Sequence, residues 1–192
     1  MRLAIVPLVL IGLAVVAEAS EIGSAYSDID LDECKKIAQA QEGEGEWTQW
    51  QCQGYGGIAV RVTEDDLRFT VSLGPNAENQ CAARQSFNKF NTLGPRIEWR
   101  IEDGKPFATI LRWYQNADGE KSNWLVVSKF DGSESCQIAY IDPAMPDANT
   151  LARQYADQKA KAFNCSKDIP QIVSNRTMEL SELVMGAPCT SE

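Results

Sequence analysis

The sequence predicts an α+β domain, an antiparallel β-meander sheet with a long amphipathic C-terminal helix packed across one face. Three observations carry that expectation. The run Ile97 to Asp142 is cut by Asp103-Gly104, Ala117-Asp118-Gly119 and Asp131-Gly132-Ser133, turn signals in which Gly supplies positive φ and Asp bonds its own backbone. Between the cuts, β-branched and aromatic residues often alternate with polar ones, as Ile97, Trp99 and Ile101 do with Glu98 and Arg100, so four strands are expected. Finally, Asn149 to Asn164 at the helical period gathers Leu151, Ala152, Tyr155, Ala156, Ala162 and Phe163 on one arc. Arg153, Gln154, Asp157, Gln158 and Lys161 fill the other side, and Lys159 alone falls within the apolar arc.

In chain order, residues 1–19 read as a signal peptide. Arg2 precedes the apolar run Leu3 to Val16, and Ala17-Glu18-Ala19 supplies small residues for signal-peptidase cleavage. That run is shorter than the roughly 20 residues that cross a bilayer, so no stable membrane insertion is expected after cleavage. Residues 20–192 are then a single disulfide-bonded α+β domain.

Ser20 to Ser27 is expected to be loose. Asp28-Ile-Asp-Leu-Asp-Glu33 opens like a calcium loop, but Glu33 stands where Gly is required and Gln39 where Glu is required. Asp30 and Glu33 instead fit a capping box, starting a short helix with Leu31, Cys34, Ile37 and Ala38 on one face. Trp47 to Leu73 reads as a second meander, with Gln53-Gly-Tyr-Gly-Gly57 as a hairpin turn and Glu64-Asp65-Asp66 as another. The Gly-Tyr-Gly-Gly segment lacks the Lys-Ser/Thr end of a phosphate loop.

Ala77 to Gln85 fits a short helix carrying Cys81. Phe87, Phe90 and Leu93 recur within polar surroundings, where they either cover a sheet face or rim a groove. Pro143 and Pro146 stop the last strand, Asp147 or Asn149 can cap the helix that follows, and Met178 to Met185 fits a short helix with Leu180, Leu183 and Val184 inward.

Six cysteines in an exported chain favour disulfides. The best assignment pairs Cys34 with Cys52, joining the opening helix to the first strand, and Cys136 with Cys165, tying the last sheet strand to the far end of the helix. Cys81 with Cys189 follows by elimination. Two disulfides with a loosely held extra pair is the alternative. No Cys-x-x-Cys pair is present, so a thioredoxin-like redox motif is absent.

Composition narrows the chemistry. The chain has no His, which excludes Ser-His-Asp and Cys-His nucleophile arrangements and His-based zinc hydrolysis. Glu98, Asp103 and Glu64-Asp65-Asp66 are the acids near strands that could act on a glycosidic bond. No catalytic, cofactor-binding or metal-binding residue is assigned. Lys and Arg number 18 against 27 Asp and Glu, a net charge of −9. That balance repels nucleic acid and anionic membranes and steers a basic partner inward, although solubility alone asks for the same charge. Tyr55, Trp47 and Trp50 are the candidate interface residues, with Trp113 and Tyr114 behind them, because aromatic rings bury much area at little entropic cost. Tyr55, between glycines in a turn, is the one expected to be most exposed, and Trp113 is expected in the core.

Phe107-Ala-Thr-Ile-Leu-Arg-Trp113, Cys136-Gln-Ile-Ala-Tyr-Ile-Asp142 and Pro146-Asp-Ala-Asn149 together resemble a group of uncharacterised exported proteins of proteobacteria. The likeness runs from Tyr26 to Cys165, implies a periplasmic location and assigns no active residue. Periplasmic lysozyme inhibitors are a looser comparison, being small, exported, disulfide-bonded and β-rich. The function expected is a non-enzymatic periplasmic or secreted binding or inhibitory protein whose partner is a basic envelope protein. A carboxylate-based carbohydrate-active enzyme and a structural cell-envelope protein are the alternatives.

Overall fold

The computed structural model describes residues 20–117 and 119–189, so the signal-peptide segment lies outside the described residues. The elements in chain order are β1 (Ile22–Asp28), β2 (Lys35–Gln39), β3 (Trp47–Gln53), β4 (Ala59–Asp65), β5 (Arg68–Leu73), β6 (Ser86–Phe87), β7 (Asn91–Glu102), β8 (Lys105–Ala117), β9 (Glu120–Phe130), β10 (Ser135–Ile141), α1 (Ala148–Lys159), β11 (Gln171–Val173), α2 (Leu180–Leu183) and β12 (Val184–Met185). They form a six-stranded sheet ordered β1-β7-β8-β9-β10-β11, a four-stranded sheet ordered β2-β3-β4-β5, and the small pair β12-β6.

Side-chain alternation along the larger sheet separates two apolar clusters. Ile97, Trp99, Leu111, Trp113, Trp124, Val126 and Tyr140 point toward the smaller sheet and meet its Cys52, Val60, Val62 and Leu73. Ala108, Ile110, Leu125, Val127, Ala139 and Ile141 point the other way, beneath Ala148, Ala152 and Ala156 of α1. A strand with apolar residues on both faces must be covered on both, and here a sheet covers one side and α1 the other.

The expected α+β class is overturned. The fold is mostly β, 48% strand against 16% helical, with two α-helices among the described residues, one of them short. No long C-terminal helix lies across the sheet. The run expected to be helical to Asn164 leaves the α-helix after Lys159 and turns so that Cys165 reaches Cys136 on β10. Its inward residues are Ala148, Ala152, Ala156 and Ala160, four apart. Leu151 and Tyr155 are only half-buried, and Ala162 is exposed. Asp147 has φ 53° and makes no side-chain cap, so the helix starts without the expected capping bond.

Two further expectations are corrected near the N-terminus. Ser20 to Ser27 is not loose, because Ile22 to Asp28 pairs antiparallel with Glu102 to Arg96. Side-chain hydrogen bonds across the pair hold its polar residues, which hid it: Ser24 donates to Glu98, Arg96 to Asp28, and the Trp99 indole to Ser27. Asp30 starts a single turn, accepting from the Glu33 and Cys34 amides on its carbonyl and from the Asp32 amide on its side chain. The chain then enters β2, where pairing with β3 and the Cys34–Cys52 disulfide hold it extended.

The remaining disulfides are Cys81–Cys189 and Cys136–Cys165. In the tail, α2 has a capping box between Glu179 and Glu182. Gly186, at φ 68°, passes so close to Arg84 that a Cβ would lie 1.9 Å from its carbonyl oxygen, so only glycine fits there.

Candidate functional site: a groove at the open end of the sandwich

The two sheets part at one end, and the register defines what lines the gap. On the smaller sheet Trp50 pairs with Val62, Val62 with Val71, and Glu64 with Phe69. Trp50 therefore shares the inner face level with the buried Val62, and Glu64 and Phe69 continue that face one row beyond it. On the larger sheet the row Leu93, Trp113, Trp124 is followed by the row Asn91, Gln115, Ser122. Between them lies a groove of about 790 Å³, flanked by Leu67, Phe90 and Tyr114, within the volume range of small-ligand and side-chain pockets. Leu67 is 58% exposed, and Phe90 and Tyr114 are each 42% exposed.

Leu67 occupies an unusual backbone position. The β4–β5 hairpin has two central residues, Asp66 at φ 49° and Leu67 at φ 58°, the type I′ geometry that favours Asn or Asp followed by Gly. The β7–β8 hairpin meets the same demand with Asp103 and Gly104. A leucine in left-handed geometry is strained, and this one also presents its side chain to water. The Glu64 carboxylate accepts from the Leu67 amide at 2.9 Å, and the Asn91 amide donates to the Leu67 carbonyl at 3.0 Å, so the turn is held in place.

Gln115 lies at the back of the groove, 4% exposed. Its Oε1 accepts from the Ser122 hydroxyl at 2.7 Å, while its Nε2 has no partner, the one such buried side-chain atom among the described residues. Asn91, beside it, is fully used, donating to Ser86 and the Lys89 carbonyl and accepting from the Phe69 amide. The rim carries Glu46 and Glu64 on the side of the smaller sheet and Lys121 on the other. Arg68 stacks 5.0 Å from the Phe90 ring centroid and pairs with Asp66.

The sequence-level candidates divide. Trp50 lines the groove and Tyr114 flanks it. Trp47 is half-buried on β3 and is not among the groove's lining residues. Tyr55 is not the exposed residue expected: it is half-buried against the inter-sheet cluster, in the β3–β4 turn at the opposite end of the smaller sheet. Trp113 is buried. Phe90 takes the rim position and Phe87 the buried one, so the two roles considered for that aromatic run are both filled. Leu67, Phe69 and Gln115 carry no functional pattern in the sequence, except that a leucine where a two-residue hairpin asks for glycine is a readable signal.

The acids considered for glycosidic chemistry are otherwise engaged. Glu98 accepts from Arg153 at 2.6 and 3.1 Å. Burial pushes its carboxyl up, but the bonds from Arg153 and Ser24 and the nearby cations outweigh it and hold Glu98 below the usual carboxylate range. A proton-donating general acid needs the opposite shift. Asp103 and Asp66 are exposed in turns, and Asp65 is exposed at the end of β4.

No known family model, curated protein or solved structure matches the chain. Its function is therefore argued from this geometry. Among the described residues, three disulfides are present and no helix is long and apolar enough to cross a membrane.

Proposed function

We propose that this is an exported, non-enzymatic binding protein whose interaction site is the groove at the open end of the sandwich, and that its partner is a basic envelope protein. The observation that carries the reading is an exposed apolar and aromatic groove with acidic groups on its rim, placed beside a strained, solvent-facing Leu67. Exposed apolar surface of this kind, rimmed by polar residues, marks interaction sites. The three disulfides fit an oxidising compartment, and the resemblance to exported proteobacterial proteins favours the periplasm or secretion. The net charge of −9 favours a cationic partner.

The test is site-specific photocrosslinking in the producing cell. A benzophenone side chain placed at Phe90 is expected to give a discrete protein adduct, and the same group at Lys167, which is exposed beyond α1, is expected to give none. Equal adducts from both positions, or none from Phe90, overturn the assignment of the groove.

A further inference from the structure

Resting on that reading, we infer that the occupant of the groove is an extended cationic peptide segment. It seats one apolar side chain between Trp50, Phe69 and Phe90, and it places a backbone carbonyl oxygen on Gln115 Nε2. Four observations converge on that chemistry. Trp50, Leu67, Phe69, Phe90 and Tyr114 give the groove an apolar, aromatic surface facing a polar back wall, and the volume of about 790 Å³ admits a large side chain with its adjoining backbone. The back wall offers a donor with nothing to donate to. An unpaired buried donor is costly; its neighbour Asn91 is committed to other partners, and Ser122 already donates to the Oε1 of the same Gln115. A carbonyl oxygen arriving with the ligand satisfies it without disturbing the Ser122 bond, since that bond uses Oε1.

The third observation is charge. Glu46 and Glu64 stand on the rim with Trp50 and Phe69, and Asp65 is exposed at the adjoining end of β4. Of the nearby cations Arg68 is held by Asp66, and Lys121 stands on the opposite rim. The cationic part of the occupant therefore lies toward the smaller sheet. A neutral glycan would also stack on the aromatic residues, but it gives the acidic rim no role. The fourth is Leu67, which extends the apolar wall outward at the cost of backbone strain and thereby lengthens the contact for a chain lying across the rim.

The experiment uses the disulfide-bonded protein, isotope-labelled for NMR, and defined probes: the capped peptides Lys-Lys-Phe-Lys-Lys, Lys-Lys-Gly-Lys-Lys and Glu-Glu-Phe-Glu-Glu, with cellohexaose and chitohexaose as neutral glycans. Lys-Lys-Phe-Lys-Lys is expected to shift the Trp50 indole and the Gln115 side-chain amide. It should bind at least about tenfold more tightly than the glycine peptide, as burial of one aromatic side chain requires, and weaken as salt rises from about 50 to about 300 mM. Gln115→Leu is expected to fold with an unchanged or higher unfolding midpoint, because it removes an unsatisfied donor, and yet to bind this peptide about fivefold or more weakly. Unchanged affinity in that variant overturns the carbonyl contact, and a loss of folding is excluded by the same midpoint. Equal binding of the acidic peptide overturns the cationic specificity. Glycans that move the groove resonances while the peptides do not overturn the peptide occupant and leave the groove standing as a binding site. If no probe moves those resonances the inference fails, whereas the groove itself fails only if Phe90 also gives no crosslink or one no stronger than that at Lys167.

Discussion

Arg100 on β7 grips Asp157 on α1 with two parallel hydrogen bonds, Nε to Oδ1 at 2.8 Å and Nη2 to Oδ2 at 2.7 Å. The same guanidinium donates to Ser24 on β1 and stands 3.8 Å from Glu98, which Arg153 of α1 holds in turn. One cluster of charges thus ties the N-terminal strand, the sheet and the helix together. The Arg100 side chain is only 8% exposed, so these partners, rather than water, compensate its charge. Removing one partner of a buried pair leaves an uncompensated charge. Asp157→Ala is expected to destabilise the protein by roughly 3 kcal/mol, the lower end of that effect because Glu98 and Ser24 remain. Urea unfolding measures it, and a change below about 0.5 kcal/mol, the range of ordinary surface substitutions, would mean that the pair contributes little.

Glu98 also sets an acid limit, together with Asp142. Burial pushes the Asp142 carboxyl up, but donors from the Ala144 amide, Ser174 and Arg176, with the Arg176 charge, hold it below the usual range; Glu98 is lowered by the same kind of balance. A lowered folded value means that the unfolded chain binds more protons near pH 4, so stability rises with pH there. The contribution is complete above the unfolded carboxylate values of about 3.9 to 4.3 and is lost as pH falls through the lowered folded values. Glu98→Gln is expected to be less stable at neutral pH and to lose less stability on acidification than the parent. Urea midpoints between about pH 6 and about pH 2 give the two slopes, and parallel slopes would remove Glu98 from the account.

The helix interface makes a different prediction. Ala152 and Ala156 are completely buried against the sheet, so the contact is set by small side chains and close approach. Ala152→Leu inserts volume where none is free and is expected to destabilise by roughly 1–3 kcal/mol. Gln154→Ala, on the exposed side, is expected to stay within about 0.5 kcal/mol. Thermal and urea unfolding of the two variants compare them directly.

How much of this was legible in the sequence follows from which forces are local. The turns at Asp103-Gly104 and Asp131-Gly132 lie between β7 and β8 and between β9 and β10, because glycine at positive φ is a local demand. β1 was illegible because Ser24, Ser27 and Asp28 are stabilised by partners on β7 some seventy residues away, and nothing in their own pattern alternates. The helix was overestimated because an apolar arc reports amphipathicity and is silent on where a distant cysteine ends the element. In the groove, Trp50 and Phe90 are visible as aromatics, but the packing that gathers Trp50, Phe69 and Gln115 around one groove is tertiary. Gln115 itself continues the alternation of Leu111 and Trp113 onto the inner face, where a polar residue stands out only once the facing sheet is known.

The last prediction separates stability from function at Leu67. Its left-handed backbone costs a leucine roughly 1–2 kcal/mol, part of which glycine returns as lost chain entropy on folding. Leu67→Gly is therefore expected to raise stability by roughly 0.5–1 kcal/mol, moving this hairpin toward the Asp-Gly form already present at Asp103-Gly104. If the groove is the binding site, the same substitution removes one apolar wall and lowers the yield of the Phe90 crosslink, the opposite direction from its effect on folding. Improved stability beside impaired binding is the pattern of a residue kept for contact rather than for the fold. Tyr55→Ala, at the far end of the smaller sheet, is expected to leave the crosslink unchanged. A Leu67→Gly protein that is more stable and crosslinks as well as the parent would remove Leu67 from the interface and leave its strained position without a functional reason.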